Sequence, residues 1–414
     1  MPVDSSVDNP GRALLHRAVK WRNQLLALGC LVLFAVLGIL YFRNWVVQKP
    51  FAIILFVGEG LTTQRLAATR VYVGGADTPL AIDAFASSAR LRNYSADFAV
   101  PDAAAAASAI ATGVKVRNGA VSINDSGTAL RTILELAHEQ GRATGIVSDG
   151  ELTNPALAPF YAHSADAKSA AQFANRLVHH THIDVALGGG GARFENKGDL
   201  RRQDARVVRT RARLEEITAG NRLLGIFADG DLAFTDELAA RAEQPSLGDM
   251  TRRAIELLEV NRGGYMLVVD AHLMAVAARQ NLGERTLRET AELDNAVKTA
   301  REYAGARSTV IVAGDTGIGG MSVNGFPFRH DSGVSILGLN SAGQPWVTWA
   351  TGPNGRSENA TAAPTPPSEP AALQTAAALN TIDDPVAAGA GLGLQKLHGV
   401  IENTELFSIL RDAL

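Results

Sequence analysis

Val100-Pro-Asp-Ala-Ala-Ala-Ala-Ala-Ser-Ala-Ile-Ala-Thr-Gly113 joins a proline-punctuated entry to an alanine-rich run that stops at glycine. Alanine is the strongest helix former, so residues 104–112 are expected as a helix. Its N-terminal end, beside Asp102, presents backbone N–H groups of the kind that attract anions, although the Asp102 carboxylate opposes them. Upstream, Phe51-Ala-Ile-Ile-Leu-Phe-Val57 is a continuous apolar run suited to a strand buried on both faces. Gly58-Glu59-Gly60 ends it. Downstream, Thr132–Gln140 reads as a helix stopped by Gly141, and Ala143–Val147 as a short strand. Residues 170–180 are helical, and Asp184–Leu187 is a strand running into four glycines. Ser246–Val260 is an amphipathic helix. Tyr265–Val269 and Thr309–Val312 are buried strands separated by the helical stretch Arg285–Tyr303. Strands alternating with helices predict an α/β fold, a three-layer α/β/α sandwich over a mostly parallel central sheet. Residues 355–378, rich in Ala, Thr, Pro and Ser, read as a linker or a flexible insertion. A last helix follows Glu402-Asn403-Thr404-Glu405.

The chain has 414 residues and 46% hydrophobic content, ample for a large core. A net charge of −3 lacks the basic footprint of a nucleic-acid binder. Cys30 is the only cysteine, which excludes an intrachain disulfide.

Residues 25–42 carry no charge. About 20 apolar residues cross a bilayer core, and Trp21, Tyr41 and Trp45 stand where interfacial aromatics belong. Arg12, Arg17, Lys20 and Arg22 precede the run, against Arg43 and Lys49 just after it. This bias predicts a cytoplasmic segment 1–24, a transmembrane anchor 25–42 and a domain 46–414 outside the cytoplasm, periplasmic or extracellular. A cleaved signal peptide is the rival reading. The run is long for one, and Arg43-Asn44-Trp45 is not a small-residue cleavage site. Leu28-Gly29-Cys30 faintly suggests a lipoprotein site, but the cysteine lies inside the apolar run.

The stretch 100–113 resembles the nucleophile segment of alkaline phosphatases, where Val-Pro-Asp-Ser precedes an Ala-rich helix ending in Thr-Gly. Further strings match in order: Asn118-Gly119-Ala120, Thr144–Ser148, Phe160–His163, Asp184–Gly190, Leu224–Ala228, Pro245-Ser246-Leu247 and His398–Thr404. Together they cover about residues 51–412. The resemblance implies the alkaline phosphatase fold and a mechanism with two zinc ions, a magnesium, a nucleophilic serine and a phosphate-clamping arginine. It also implies a homodimer, since family members often pair.

Position by position, this chain departs from that implied machinery. The serine position is Ala103, whose methyl cannot form a phosphoseryl intermediate. The clamp position, four residues after His163, is Ala167, and neighbouring Lys168 reads as a surface residue. The bridging aspartate is replaced by Glu59, which either supplies metal oxygens one methylene further out or is a solvated turn carboxylate. Asn154 and Ala156 stand at the magnesium site, where Asn is a weak oxygen donor. In Val269–Arg279, Asp270 replaces the glutamate, Ala275 the zinc aspartate and Arg279 a zinc histidine. An arginine repels a dication and does not ligate it. His272 reads as a structural histidine rather than a replacement ligand. Asp315 is retained, Thr316 replaces its neighbouring histidine, and Asn380 stands at the last histidine position.

Glu59, Asp270 and Asp315 remain as residual metal candidates, with Asn154 and Thr316 as weak ones. Zinc is not expected, no cofactor is required, and one Mg²⁺ or Ca²⁺ is the alternative because hard cations accept oxygen ligands. The leading expectation is a catalytically inactive, membrane-anchored binding or partner protein. Its partner could be a second copy, an active paralogue, or an anion such as phosphate. The alternative is a divergent phosphomonoester hydrolase using a single hard cation, with Thr316 or Ser108 as nucleophile. Ser108 would point away from the site.

Overall fold

The computed structural model describes residues 10–41, 49–179, 182–194, 205–218, 220, 222–325, 329–331, 333–354 and 369–414. The chain divides into two compact units, Met1–Lys49 and Pro50–Leu414. Among its described residues the first contains one helix, Pro10–Tyr41. Within it Lys20–Tyr41 is long and apolar enough to cross a membrane.

The second unit is built on a ten-stranded sheet. Its spatial order is His398–Glu402, Ser87–Arg92, Val386–Ala390, Thr309–Gly314, Ala52–Gly58, Tyr265–Ala271, Ala143–Glu151, Val185–Gly189, Arg222–Ile226 and Ala205–Val208. Val386–Ala390 runs antiparallel to both neighbours, and all the other pairings are parallel. The central strand shows why the fold has three layers. Side chains alternate across a strand, and every residue of Ala52–Gly58 is buried. Ile53, Leu55 and Val57 enter one core with Ala104, Ile110, Leu134, Phe173 and Leu406. Ala52, Ile54 and Phe56 enter the opposite core with Leu247, Met250, Leu293 and Val297. A continuous apolar run is what burial on two faces demands.

The alanine-rich segment forms the helix Ala103–Thr112, capped by Asp102 and ended by Gly113 in the left-handed conformation. Ala104 to Thr112 are all buried. The small side chains let this helix lie close against Ala158–Phe160 and Glu405–Ala413 within the core on that face of the sheet.

Beside the main sheet, Ser322–Val323, Val347–Gly352 and Ala371–Gln374 form a second, three-stranded sheet. This corrects part of the expectation for 355–378. Residues 371–374 pair in parallel with Val347–Gly352, while 355–368 lie outside the described residues. The short pair Gly317–Ile318 and Asn380–Thr381 sets Asn380 opposite Ile318. That pairing returns the chain to the carboxyl end of the main sheet, next to Thr316.

Candidate functional site

In an open parallel sheet the strand carboxyl ends form the natural crevice for chemistry. Glu59 directly follows Ala52–Gly58, Asp315 directly follows Thr309–Gly314, and Asp270 is the penultimate residue of Tyr265–Ala271. The register sets Val57 beside Asp270, Gly58 beside Gly314 and Ser148 beside Asp270. Glu59, Asp149, Asp270 and Asp315 are thereby gathered at one edge, each at most 4% exposed.

Each carboxylate has a distinct set of partners. Asp270 Oδ2 accepts from Ser148 Oγ at 2.7 Å and Asn154 Nδ2 at 2.6 Å. Asp315 Oδ1 accepts from the backbone N–H of Gly60 at 2.9 Å and of Thr316 at 2.5 Å. Asp149 Oδ1 accepts from the backbone N–H of His272 and Leu273 at 2.7 and 3.1 Å, so it holds the start of the helix Leu273–Arg279. Glu59 Oε1 meets His272 Nδ1 at 2.5 Å. Asp270 Oδ1 and Asp315 Oδ2 are buried with no hydrogen-bond partner.

Burial dominates the electrostatics. It pushes the Asp270 carboxyl up to about 8, with Glu59 adding to the effect. It pushes Asp315 up to about 6 against the two backbone N–H bonds. Asp149 is raised well above the usual carboxylate range by burial and by Asp270. Glu59 is raised by burial despite the His272 ring beside it. For His272 burial works the other way, yet Glu59, Asp231 and Asp270 together hold the imidazole well above its ordinary value.

The vestigial nucleophile position is Ala103, the first residue of its helix. Both Asp102 oxygens are engaged there, Oδ1 by Ala105 N–H at 2.7 Å and Oδ2 by Gly119 N–H at 2.6 Å. Ala167, at the clamp position, donates its backbone N–H to Gly119 O. Lys168 is exposed, as its sequence context implied. Ser108 Oγ is buried and accepts from Ser122 N–H, which removes it as a nucleophile. Thr316 is buried, and its hydroxyl donates to Gly317 O at 3.3 Å.

The residues expected at the zinc positions do not fit a zinc pair. Ala275 is buried in an apolar cluster with Ala278, Ile318 and Trp349. Arg279 donates through Nη2 to Asn380 Oδ1 at 2.7 Å and through Nη1 to Ala378 O at 2.9 Å. Two positions where the resemblance implies histidines thus hold a guanidinium and an amide bonded to each other. Asn380 also donates to Pro101 O at 2.8 Å, which ties this pair to the entry of the Ala103–Thr112 helix.

The geometry refines the sequence reading of these residues. The His272 ring, Glu59 and Asp270 offer ligand atoms all within 4.8 Å of one another, a group that could hold a metal ion. Among the described residues Asp315 is not part of that group. Asn154 does not offer its oxygen to a metal, since Oδ1 already accepts from Ala156 and Leu157 N–H at 2.9 and 2.8 Å. Its role is to position Asp270. Sequence reading missed Asp149 and Arg65 altogether. Asp149 could have been found as an acid at the carboxyl end of a parallel strand. Arg65 is 2% exposed and lies six residues past Glu59 in the helix Thr63–Val73, with no motif to mark it.

Residues 51–414 match the family model described as alkaline phosphatase. Alkaline phosphatase 4 of Bacillus subtilis is 30% identical over 296 residues, 66% of this chain and 62% of that protein. Alkaline phosphatase of Escherichia coli is 30% identical over 332 residues, 65% of this chain and 70% of that protein. Alkaline phosphatase 3 of Bacillus subtilis is matched over only 50% of its length. The chain therefore spans between half and two thirds of the two Bacillus relatives. The crystal structure of Thermus thermophilus alkaline phosphatase superposes with a TM-score of 0.73 at 23% identity, over 89% of this chain and 92% of that one. A cold-active alkaline phosphatase from Shewanella sp. gives 0.72 at 19% identity, over 87% and 99%. These likenesses establish the fold, and with the match across residues 51–414 the chain belongs to the alkaline phosphatase family.

Proposed function

We propose that this chain is a membrane-anchored, extracytoplasmic binding or partner protein of the alkaline phosphatase family, without phosphomonoesterase turnover. The observation that carries the reading is the Arg279–Asn380 contact beside the Ala103 helix entry. A fixed cation stands where metal ligation is implied, and a methyl stands where attack on phosphorus is implied. Without a nucleophile, a general route to activated water or a charge sink, the ordinary sources of rate are missing together.

A cavity of about 650 Å³ lined by His272, Val276, Arg279, Gln280 and Asn354, among others, offers room for a ligand beside this contact. An anion at the Ala103–Thr112 N-terminus would face the Asp102 carboxylate, which disfavours that helix end as a phosphate seat; the partner in this reading is a second copy or an active paralogue. One observation favours a second reading. The Glu59–Asp270–His272 group, with the unsatisfied Asp270 Oδ1, could bind one hard cation and support a divergent hydrolase. The test is hydrolysis of an aryl phosphate by the full-length protein in detergent, with Zn²⁺, Mg²⁺ or Ca²⁺ added in turn. No rate above the protein-free control is expected. Turnover that EDTA abolishes would establish the second reading.

A further inference from the structure

Four buried carboxyl groups in one crevice need positive partners or protons, because an uncompensated buried charge is costly. In a metal-dependent relative, dications would meet that need. We infer that Arg65 and Arg279 are the resident cations of this crevice and that His272 occupies Glu59 as its hydrogen-bond partner, so that the domain folds without a divalent metal. This inference rests on the non-catalytic reading of the site, and stability rather than turnover tests it.

Three placements carry the argument. Arg65 is buried, donates through Nη1 to Glu59 O at 3.2 Å and through Nη2 to Ile318 O at 3.3 Å, and stands within electrostatic reach of Asp315 and Asp383. It bridges the loops after two central strands. Gly60 makes this possible, since at φ +83° a Cβ built there would lie 2.3 Å from Arg65 Nη1. His272 makes a direct contact with Glu59, so two of the three atoms a metal would need already satisfy each other. Its ring lies over Gly150, where a Cβ would come within 2.5 Å of His272 Cδ2. The crevice is thus shaped around both side chains. Arg279, anchored on Ala378 O and Asn380, lies within electrostatic reach of Glu59 and Asp315, where it favours their ionised forms. An incoming dication would meet this guanidinium's repulsion.

The experiment is thermal unfolding of the full-length protein in detergent, as purified, with excess EDTA, and with Zn²⁺ or Mg²⁺, beside elemental analysis of the same preparation. The expected result is a metal-free protein whose unfolding temperature is the same in EDTA as in buffer. Arg279→Gln should lower that temperature by several degrees, and Arg279→Lys should recover part of the loss because it keeps the charge but not the two-pronged anchoring. Stoichiometric metal, a fall of several degrees on chelation, or equal losses for Lys and Gln would overturn the inference. If Arg279→Gln does not fold, the chelation arm and the Lys variant still decide. A metal-free chain that hydrolyses phosphoesters would defeat the proposed function and leave this inference standing. A metal-loaded inert chain would do the reverse.

Discussion

A serine restored at position 103 would occupy the first residue of a capped helix, beside a carboxylate that already accepts two backbone N–H bonds. Both Asp102 oxygens are committed to backbone N–H groups, and Arg279 is committed to Asn380 and Ala378 O. A hydroxyl is a poor nucleophile near neutral pH without a base or a metal. Ala103→Ser alone is therefore expected to leave hydrolysis of an aryl phosphate at the parent's level. A clear gain lost on chelation would show that a working metal site survives. The smallest set with a realistic chance adds Ala275→Asp, Arg279→His, Thr316→His, Asn380→His and Ala167→Arg, and even it lacks the supporting groups that orient ligands. The replaced positions were legible one at a time because motif order fixes which residue stands where. What the replacements do to each other was not, since Arg279 and Asn380 are 101 positions apart. The role of His272 was hidden for the same reason. Its partner Glu59 lies 213 positions away, and only the parallel pairing of their two strands brings them together.

The elements built on strong local patterns were readable. Phe51–Val57, Ala143–Val147, Tyr265–Val269 and Thr309–Val312 all fall within or overlap observed strands, because buried parallel strands are continuous apolar runs. Val386–Ala390 and Ala371–Gln374 were not, since alanine- and glycine-rich segments lack β-propensity and become strands only through their neighbours. Helix Ile133–Glu139 permits an element-level test. Its Thr132 cap and Glu135 form a reciprocal box, and Glu135 Oε1 also reaches His163 Nε2 at 3.1 Å and Arg176 Nη2 at 3.4 Å. Burial alone would raise the Glu135 carboxyl, but the His163 bond, the Thr132 N–H and Arg176 together hold it below its ordinary 4.5. A carboxylate depressed in the folded state contributes stability that is present above its unfolded value and lost as pH falls through the folded one. Glu135→Gln keeps an acceptor for the capping box and removes only the charge facing His163 and Arg176, so it should cost about 1 kcal/mol or less near neutral pH, the scale of a part-exposed ion pair. The gap between variant and parent should close as the pH drops below about 4.5, the unfolded carboxylate range. Denaturant unfolding of both proteins across that range measures it, and a pH-independent gap would assign the effect to packing alone.

At the scale of the whole molecule, the parallel order of the sheet's centre and the two-faced core followed from the alternation of strand and helix. The antiparallel Val386–Ala390 strand did not, because nothing local distinguishes a returning strand from a crossing one. The remaining question is where the domain stands relative to a membrane. Leu25, Leu31, Phe34 and Ile39 on Lys20–Tyr41 are exposed, as are the other described side chains of that helix. Leaving a large apolar side chain in water forgoes roughly 1.5–3 kcal/mol each, so this helix calls for cover. Its 22 residues span about 33 Å at 1.5 Å per residue, against a hydrocarbon core of about 30 Å. Four basic residues, Arg12, Arg17, Lys20 and Arg22, precede the apolar run, and Arg43 and Lys49 follow it closely. Positive charge is retained on the cytoplasmic side, so residues 1–22 should lie inside and residues 50–414 outside. Protease added to spheroplasts should digest the domain while an epitope fused before residue 1 stays protected, and intact mass should show residues 1–22 retained. Cleavage of the chain after the apolar run would make the segment a signal peptide. Full protection of the domain until lysis would place it in the cytoplasm, because a domain on the outer face has no bilayer between it and the protease.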